Sequence, residues 1–260
     1  DLSQPVTFGS SEEKVAAIAF FNAAFRAEES GLRQAHALSE ETARWDPDLA
    51  ECLRLYGDEE GWHRQLLTEF LVWIGGDVRP MGRTTRTFYG LYRRAERMES
   101  IVLVNLMFET IGSTTYRLAL RKASHPAVRQ MLTILTRDES FHVPLNVHFL
   151  RQALARAPES RRRLQLLYGA TFLGLIASTV PSRRRAQRFD TIPRPVLSRA
   201  YAEELARLFI EENDLGLAPS NLFLRAFGLD RDELLRAPSA VSLEAAERAA
   251  ERENVVVAAY

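Results

Sequence analysis

The quartets Glu60-Gly61-Trp62-His63 and Glu139-Ser140-Phe141-His142 each set a carboxylate and an imidazole three residues apart. On a helix this spacing puts both groups on one face, one turn apart, where they can reach a common ion. An acid precedes each quartet, Glu59 before Glu60 and Asp138 before Glu139. About thirty residues upstream of each quartet stands a further glutamate in apolar company, Glu28 in FFNAAFRAEES and Glu109 in LVNLMFETIG. In an antiparallel pair, that separation lets one helix run on, turn and return, so that both positions lie at the same height. Four glutamates and two histidines then converge inside a four-helix bundle. Oxygen donors with imidazole suit iron or manganese, and bridging carboxylates hold two such ions about 3.5–4 Å apart. Four carboxylates also neutralise two ferrous ions, which avoids a large uncompensated charge in the interior.

The set Glu28, Glu60-x-x-His63, Glu109 and Glu139-x-x-His142 resembles the ligand set of the ferritin-like non-haem di-iron carboxylate proteins, over roughly residues 11–157. EEGWHRQLLTEFL is similar to the second bundle helix of the acyl-carrier-protein desaturases. RDESFH is similar to the fourth helix of those enzymes and of the di-iron N-oxygenases. The resemblance implies an O2-dependent oxidoreductase that hydroxylates, desaturates or N-oxygenates a small or carrier-bound substrate, of monooxygenase or desaturase type. It also implies two iron ions (manganese being possible), O2 as co-substrate, and an external electron donor of ferredoxin or reductase type. Under it, Glu60 and Glu139 bridge or chelate the ions, Glu28 and Glu109 are terminal or bridging, and His63 and His142 are terminal nitrogen donors. Because a ligating histidine usually donates its second ring proton to a carboxylate, Asp138 is expected to face His63, and Glu59 to face His142.

Helical spacing of apolar residues dominates the chain, so the fold class read from it is all-α. Ser10 or Ser11 caps a first helix over 11–43, and a second starts after Pro47 and stops at Gly75-Gly76. Residues 75–83 lead into an irregular or helical stretch through Arg94. A third helix covers 98–123, and a fourth, capped by Ser124 with Pro126 in its first turn, reaches about Ala157 and is expected to kink at Pro144. LQLLYGATFLGLIASTV, 164–180, reads as a fifth, buried core helix, since arginines flank it on both sides and a membrane span usually shows a one-sided bias. The basic, proline-bearing tract 181–195 reads as a loop, followed by helices at about 196–212, 218–227 and 242–253. The domain reading is a ferritin-like di-iron bundle over 1–180 and a helical extension over 181–260 packed on it.

Within this frame, Ile18, Phe21, Phe25, Leu32 and Ala35 set a three-four alternation that Glu28 completes better than Glu29. Glu109 lies in too apolar a setting for a solvated charge. Gly112 and Ser113 follow it on the same side; they either form a close helix contact or, by the resemblance, place Ser113 beside the oxygen site with Glu109. Phe20, Phe25, Met107, Phe108 and Phe141 belong to the core or to a substrate pocket, and Trp62 and Tyr116 share the ambiguity. His36, His125 and His148 fall outside the register and are expected at the surface or in caps.

Composition excludes several classes. With 34 basic and 34 acidic residues among 260, no overall field exists to hold nucleic acid. One cysteine, Cys52, rules out a disulfide framework or a cysteine-built metal site within the chain, and a cytoplasmic location is the expectation. Leu67 stands four residues after His63, where a ribonucleotide reductase small subunit places its radical tyrosine, so a radical generator is disfavoured. Leu135 replaces the third histidine of the N-oxygenases, and no CxxC pair exists for a rubrerythrin iron. Two readings remain: an oxygen-activating enzyme and a ferritin-like iron-handling ferroxidase. Dimerisation is common in such folds, and a homodimer is compatible with either.

Overall fold

The computed structural model describes residues 6–80 and 97–236, and for 178–185 the backbone alone. Four long helices form the bundle: α1 (Ser11–Thr42), α2 (Pro47–Trp73), α3 (Met98–Leu120) and α4 (Pro126–Arg156). Then follow α5 (Arg161–Asp190), α6 (Arg194–Glu211), α7 (Asn221–Ala226) and α8 (Arg231–Leu235). Among the described residues no strand occurs, and the fold is an all-α, ferritin-like bundle.

Local chemistry fixes the helix ends. Ser10 Oγ accepts from Glu13 N–H at 3.1 Å, while Glu13 Oε2 accepts from Gly9 N–H at 2.7 Å, so one free first-turn amide of α1 and the amide just before its cap are satisfied together. Asp46 caps α2 by accepting from Leu49 N–H at 3.0 Å, with Pro47 in the first turn. At the other end of α2, Gly75 has φ 74°, and the amides of Gly75 and Gly76 bond back to the carbonyls of Val72 and Leu71, which closes the helix in a Schellman turn. The cap of α4 is His125, not Ser124: its Nδ1 accepts from Ala127 N–H at 3.2 Å. Helix α4 runs unbroken through Pro144.

Two apolar clusters sit at opposite ends of the bundle. One gathers Phe21, Phe25, Leu67, Phe70, Tyr116, Leu132 and Leu135. The other gathers Ala35, Leu38, Leu53, Leu103, Leu106, Val147 and Leu150 together with α5 and α6. The order in which each helix visits them shows that α1 and α4 run one way and α2 and α3 the other. Every helix therefore crosses the middle of the bundle once, where the polar residues lie.

Helix α5 corrects two expectations. Its inward stripe, Leu164, Tyr168, Phe172 and Leu175, is buried, but Leu166 and Leu173 are 78% and 54% exposed, so it is a half-covered helix and not a buried one. It also continues to Asp190, across the tract read as a loop and across residue 180. Arg, Ala and Gln between 182 and 188 are good helix formers, and over two turns they outweigh one proline. The stop comes at Thr191, with φ 55°, just before Pro193. No helix among the described residues is long and apolar enough to cross a membrane. Most of the stretch between α2 and α3 (81–96) and the helix expected at 242–253 lie outside the described residues.

Candidate metal centre

Between the two apolar clusters, Glu28, Glu60, His63, Glu109, Glu139 and His142 are all buried, none more than 8% exposed. Each comes from the inward stripe of its helix, one from α1, two from α2, one from α3 and two from α4. Their donor atoms form two groups, each spanning at most 4.8 Å: Glu28, Glu60 and His63, and Glu60, Glu109, Glu139 and His142. Glu60 is common to both. Glu29 is turned away from this centre and pairs with Arg26 at 2.6 Å and Arg33 at 3.3 Å.

Both imidazoles are oriented from outside. His63 Nε2 lies 2.9 Å from Asp138 Oδ2, and His142 Nε2 lies 2.9 Å from Glu59 Oε2. With the Nε2 proton given to a carboxylate, Nδ1 of each ring faces the centre, where it offers a lone pair once its own proton is released. Asp138 is buried and further tied to Arg137 at 2.5 Å, whereas the Glu59 side chain is 42% exposed. His63 Nδ1 stands 3.2 Å from Glu28 Oε2, and His142 Nδ1 stands 3.2 Å from Glu60 Oε1, 3.6 Å from Glu139 and 3.9 Å from Glu109.

Two buried tyrosines hold the outer carboxylates. Tyr56 O–H donates to Glu109 Oε1 and Tyr116 O–H donates to Glu28 Oε1, each at 2.6 Å. Asn105 donates to the Tyr56 oxygen at 3.0 Å and to Asn146 Oδ1 at 3.1 Å. The sequence reading missed Tyr56, Asn105 and Asn146 altogether and left Tyr116 undecided. A simple signal was available: Tyr56 and Asn105 each stand four residues before a centre glutamate, Asn146 four after His142, and Tyr116 seven after Glu109, all steps that keep a side chain on the same helical face.

Crowding four carboxylates moves the acids apart. Burial and the charges of Glu28 and Glu109 push the Glu60 carboxyl well above the carboxylate range, and burial with Glu109 does the same to Glu139. For Glu28 burial is outweighed by the bonds from His63, Glu60 and Tyr116, which bring it down to about 2. Burial likewise opposes the charged form of His63, but Asp138 and Glu28 raise it to about 9. His142 is driven well above its usual value against burial, by Glu139 and Glu59.

The residues fit a pair of metal ions. Glu60 Oε1, Glu139 Oε2 and His142 Nδ1 are buried with no hydrogen-bond partner, although such atoms cost about 1–3 kcal/mol each when left unsatisfied. All three lie on the same side of the cluster, and a cation placed among them satisfies them at once. Gly31 makes room for this arrangement, because a Cβ there would stand 2.9 Å from Glu60 Cδ. Beside the cluster, α1 and α3 part to leave a small recess open to solvent, walled by Ala27, Ser30, Asn105, Phe108 and Gly112 and floored by the carboxylates. Gly112, not Ser113, forms this wall; Ser113 is buried outside it.

The remaining candidates divide plainly. Phe108 lines the recess, Phe20, Phe25 and Met107 are core, and Phe141 and Trp62 are 43% and 45% exposed. His36 pairs with Asp58 near the surface, His125 caps α4, and His148 is exposed.

Fold and site together define a ferritin-like bundle whose buried carboxylate and imidazole cluster fits a di-iron centre. Among solved structures, the chain is similar to Protein 19 with aldehyde deformylating oxidase activity from Synechococcus, with a TM-score of 0.64 and 17% identity, over 89% of this chain and 100% of that one. At that identity the likeness establishes the fold. No protein-family model and no curated protein matches the chain.

Proposed function

We propose that the protein is a non-haem di-iron oxidoreductase that activates O2 to oxidise a small organic substrate, drawing electrons from a separate donor protein. The observation that carries this reading is the recess: the same carboxylates that would hold the ions form its floor, so a bound molecule would lie against them. The likeness to a protein with oxidase activity supports the class.

In this reading Glu28, Glu60 and His63 would hold one ion, and Glu60, Glu109, Glu139 and His142 would hold the other. Iron held there would pass electrons from the donor protein to O2. The chain's own groups do the rest: Asp138 and Glu59 fix the ring tautomers, Tyr56 and Tyr116 hold the outer carboxylates, and the apolar clusters keep water from the centre. Helices α6 to α8 brace α3 and α5 as an extension of the bundle.

The test is anaerobic loading with ferrous iron, elemental analysis, and O2 uptake with a reductant, with and without candidate organic substrates. Two irons per chain and substrate-stimulated uptake are expected. Uptake that follows iron alone, whatever organic molecule is present, supports the ferroxidase reading instead.

A further inference from the structure

Asn105 has one more hydrogen-bonding atom than the protein uses. The carbonyl of His142 accepts from Asn146 Nδ2 at 2.9 Å, which makes Asn146 Oδ1 an acceptor, and that oxygen takes one Asn105 amide hydrogen. Tyr56 gives its hydroxyl proton to Glu109, so the phenol oxygen takes the other. Both hydrogens of Asn105 are thereby committed, and the orientation of its amide is fixed by a chain that ends on a backbone carbonyl. Its Oδ1 is left with no hydrogen-bond partner among the described residues, on a side chain that is only 3% exposed and stands in the wall of the recess.

We propose that Asn105 determines which substrates enter this site: Oδ1 accepts a hydrogen bond from a hydroxyl or amino head group, so the site takes alcohols or amines in preference to carbonyl compounds. A ketone or aldehyde presents only an acceptor oxygen, which would face the Oδ1 lone pairs and leave both unpaired. Asn105 stands one helical turn before Glu109, so a head group bound there lies beside the carboxylates. This inference rests on the enzyme reading above, and it separates the chain from the aldehyde chemistry named for its structural neighbour.

The matched probes hexan-2-ol, hexan-2-amine and hexan-2-one share one skeleton and differ in the head group. Calorimetric titration of each into the iron-loaded protein is expected to show the alcohol and the amine binding roughly tenfold or more tighter than the ketone. Asn105→Leu should abolish that preference. Since Asn105 also braces Tyr56, an Asn105→Leu protein that no longer holds iron leaves the decision to Asn146→Leu, which removes one of the two acceptors that hold the Asn105 amide and should narrow the preference. Equal or tighter binding of the ketone by the unaltered protein, no binding of any of the three, or a preference that survives Asn146→Leu unchanged overturns the proposal. A protein that holds no iron at all overturns the underlying reading instead, and elemental analysis of the titrated sample tells the two failures apart.

Discussion

The two halves of the centre differ in how far the protein itself satisfies them. In the half built by Glu28 and His63, both Glu28 oxygens are hydrogen-bonded, to Tyr116 and to His63, and both His63 nitrogens are bonded, to Glu28 and to Asp138. In the half built by Glu109, Glu139 and His142, Glu139 Oε2 and His142 Nδ1 have no partner, and neither does the shared Glu60 Oε1. An ion entering the first half must displace an internal ion pair. One entering the second half breaks no hydrogen bond at Glu60 Oε1, Glu139 Oε2 or His142 Nδ1, only the ion-pair approach of His142 to the three carboxylates. The second half is therefore expected to bind first and more tightly, and the first to fill after it.

Removing the shared carboxylate tests this division most severely. Glu60→Ala should take the bound iron from two ions per chain to nearly none, with helical circular dichroism intact because the ends of the bundle are untouched. Glu28→Ala should keep about one ion, whereas Glu139→Ala should lose both, since the first half fills only after the second. Equal retention in the last two variants, by elemental analysis after gel filtration, refutes the ordered loading.

Gly31→Ala acts on the same carboxylate from the α1 side. The added Cβ would stand 2.9 Å from Glu60 Cδ, so either the carboxylate or the helix must move. Overpacking of this kind costs about 1–3 kcal/mol, a loss of several degrees in Tm for a chain of this size. Iron content should fall as well, and a melt with an elemental analysis on the same sample checks both. A normal Tm with full iron would mean that α1 does not press on the centre.

How much of this was legible beforehand follows the physics of spacing. Ligand types at three-residue intervals and glutamates about one hairpin apart survive in one dimension, because helix geometry is nearly constant. For the same reason the start of α1 and both ends of α2 could be read from Ser10, Pro47 and Gly75. The hydrogen-bonded support was lost because a tyrosine or asparagine at helical spacing looks like ordinary core until a partner from another helix is seen, as with Tyr56 beneath Glu109. The reach of α5 was lost because a proline is a strong local signal while helix propensity accumulates only over several residues. Its exposed leucines, Leu166 and Leu173, show the limit of composition: an uncharged stretch says nothing about which face is covered.

A finer probe of the asymmetry lies in the outer carboxylates. Loss of such a partner typically costs 10–100-fold in metal affinity. Asp138 is buried and held by Arg137, whereas Glu59 is open to solvent, where water can take over its bond to His142. Asp138→Asn should therefore fall toward the upper end of that range, roughly 100-fold, and Glu59→Gln toward the lower, roughly tenfold. Competition with a chelator of known affinity measures both, and a larger loss for Glu59→Gln would reverse the order of support inferred for the two rings.

The smallest effect expected is on stability, and its sign depends on whether metal is present. In the metal-free protein His63 is raised to about 9 from its usual 6.5, with burial opposing and the bonds to Asp138 and Glu28 prevailing. Below about pH 6.5 the folded and unfolded chains both carry that proton, and the stabilisation is complete. As pH climbs toward 9 the unfolded chain releases the proton while the folded chain keeps it, so the contribution fades and is gone above that value. Glu60 and Glu139, also raised, push the same way, whereas the contribution of Glu28, held down at about 2, is present above pH 4.5 and is lost only in acid. Thermal melts with a chelator should thus show Tm falling between pH 6.5 and 9. Binding of ferrous iron displaces these protons, so it strengthens with pH, and anaerobically loaded protein should stay level or gain over the same interval. His63→Gln should make the metal-free slope shallower without abolishing it, since Glu60, Glu139 and His142 still contribute; a slope unchanged in this variant would place the titrating group elsewhere.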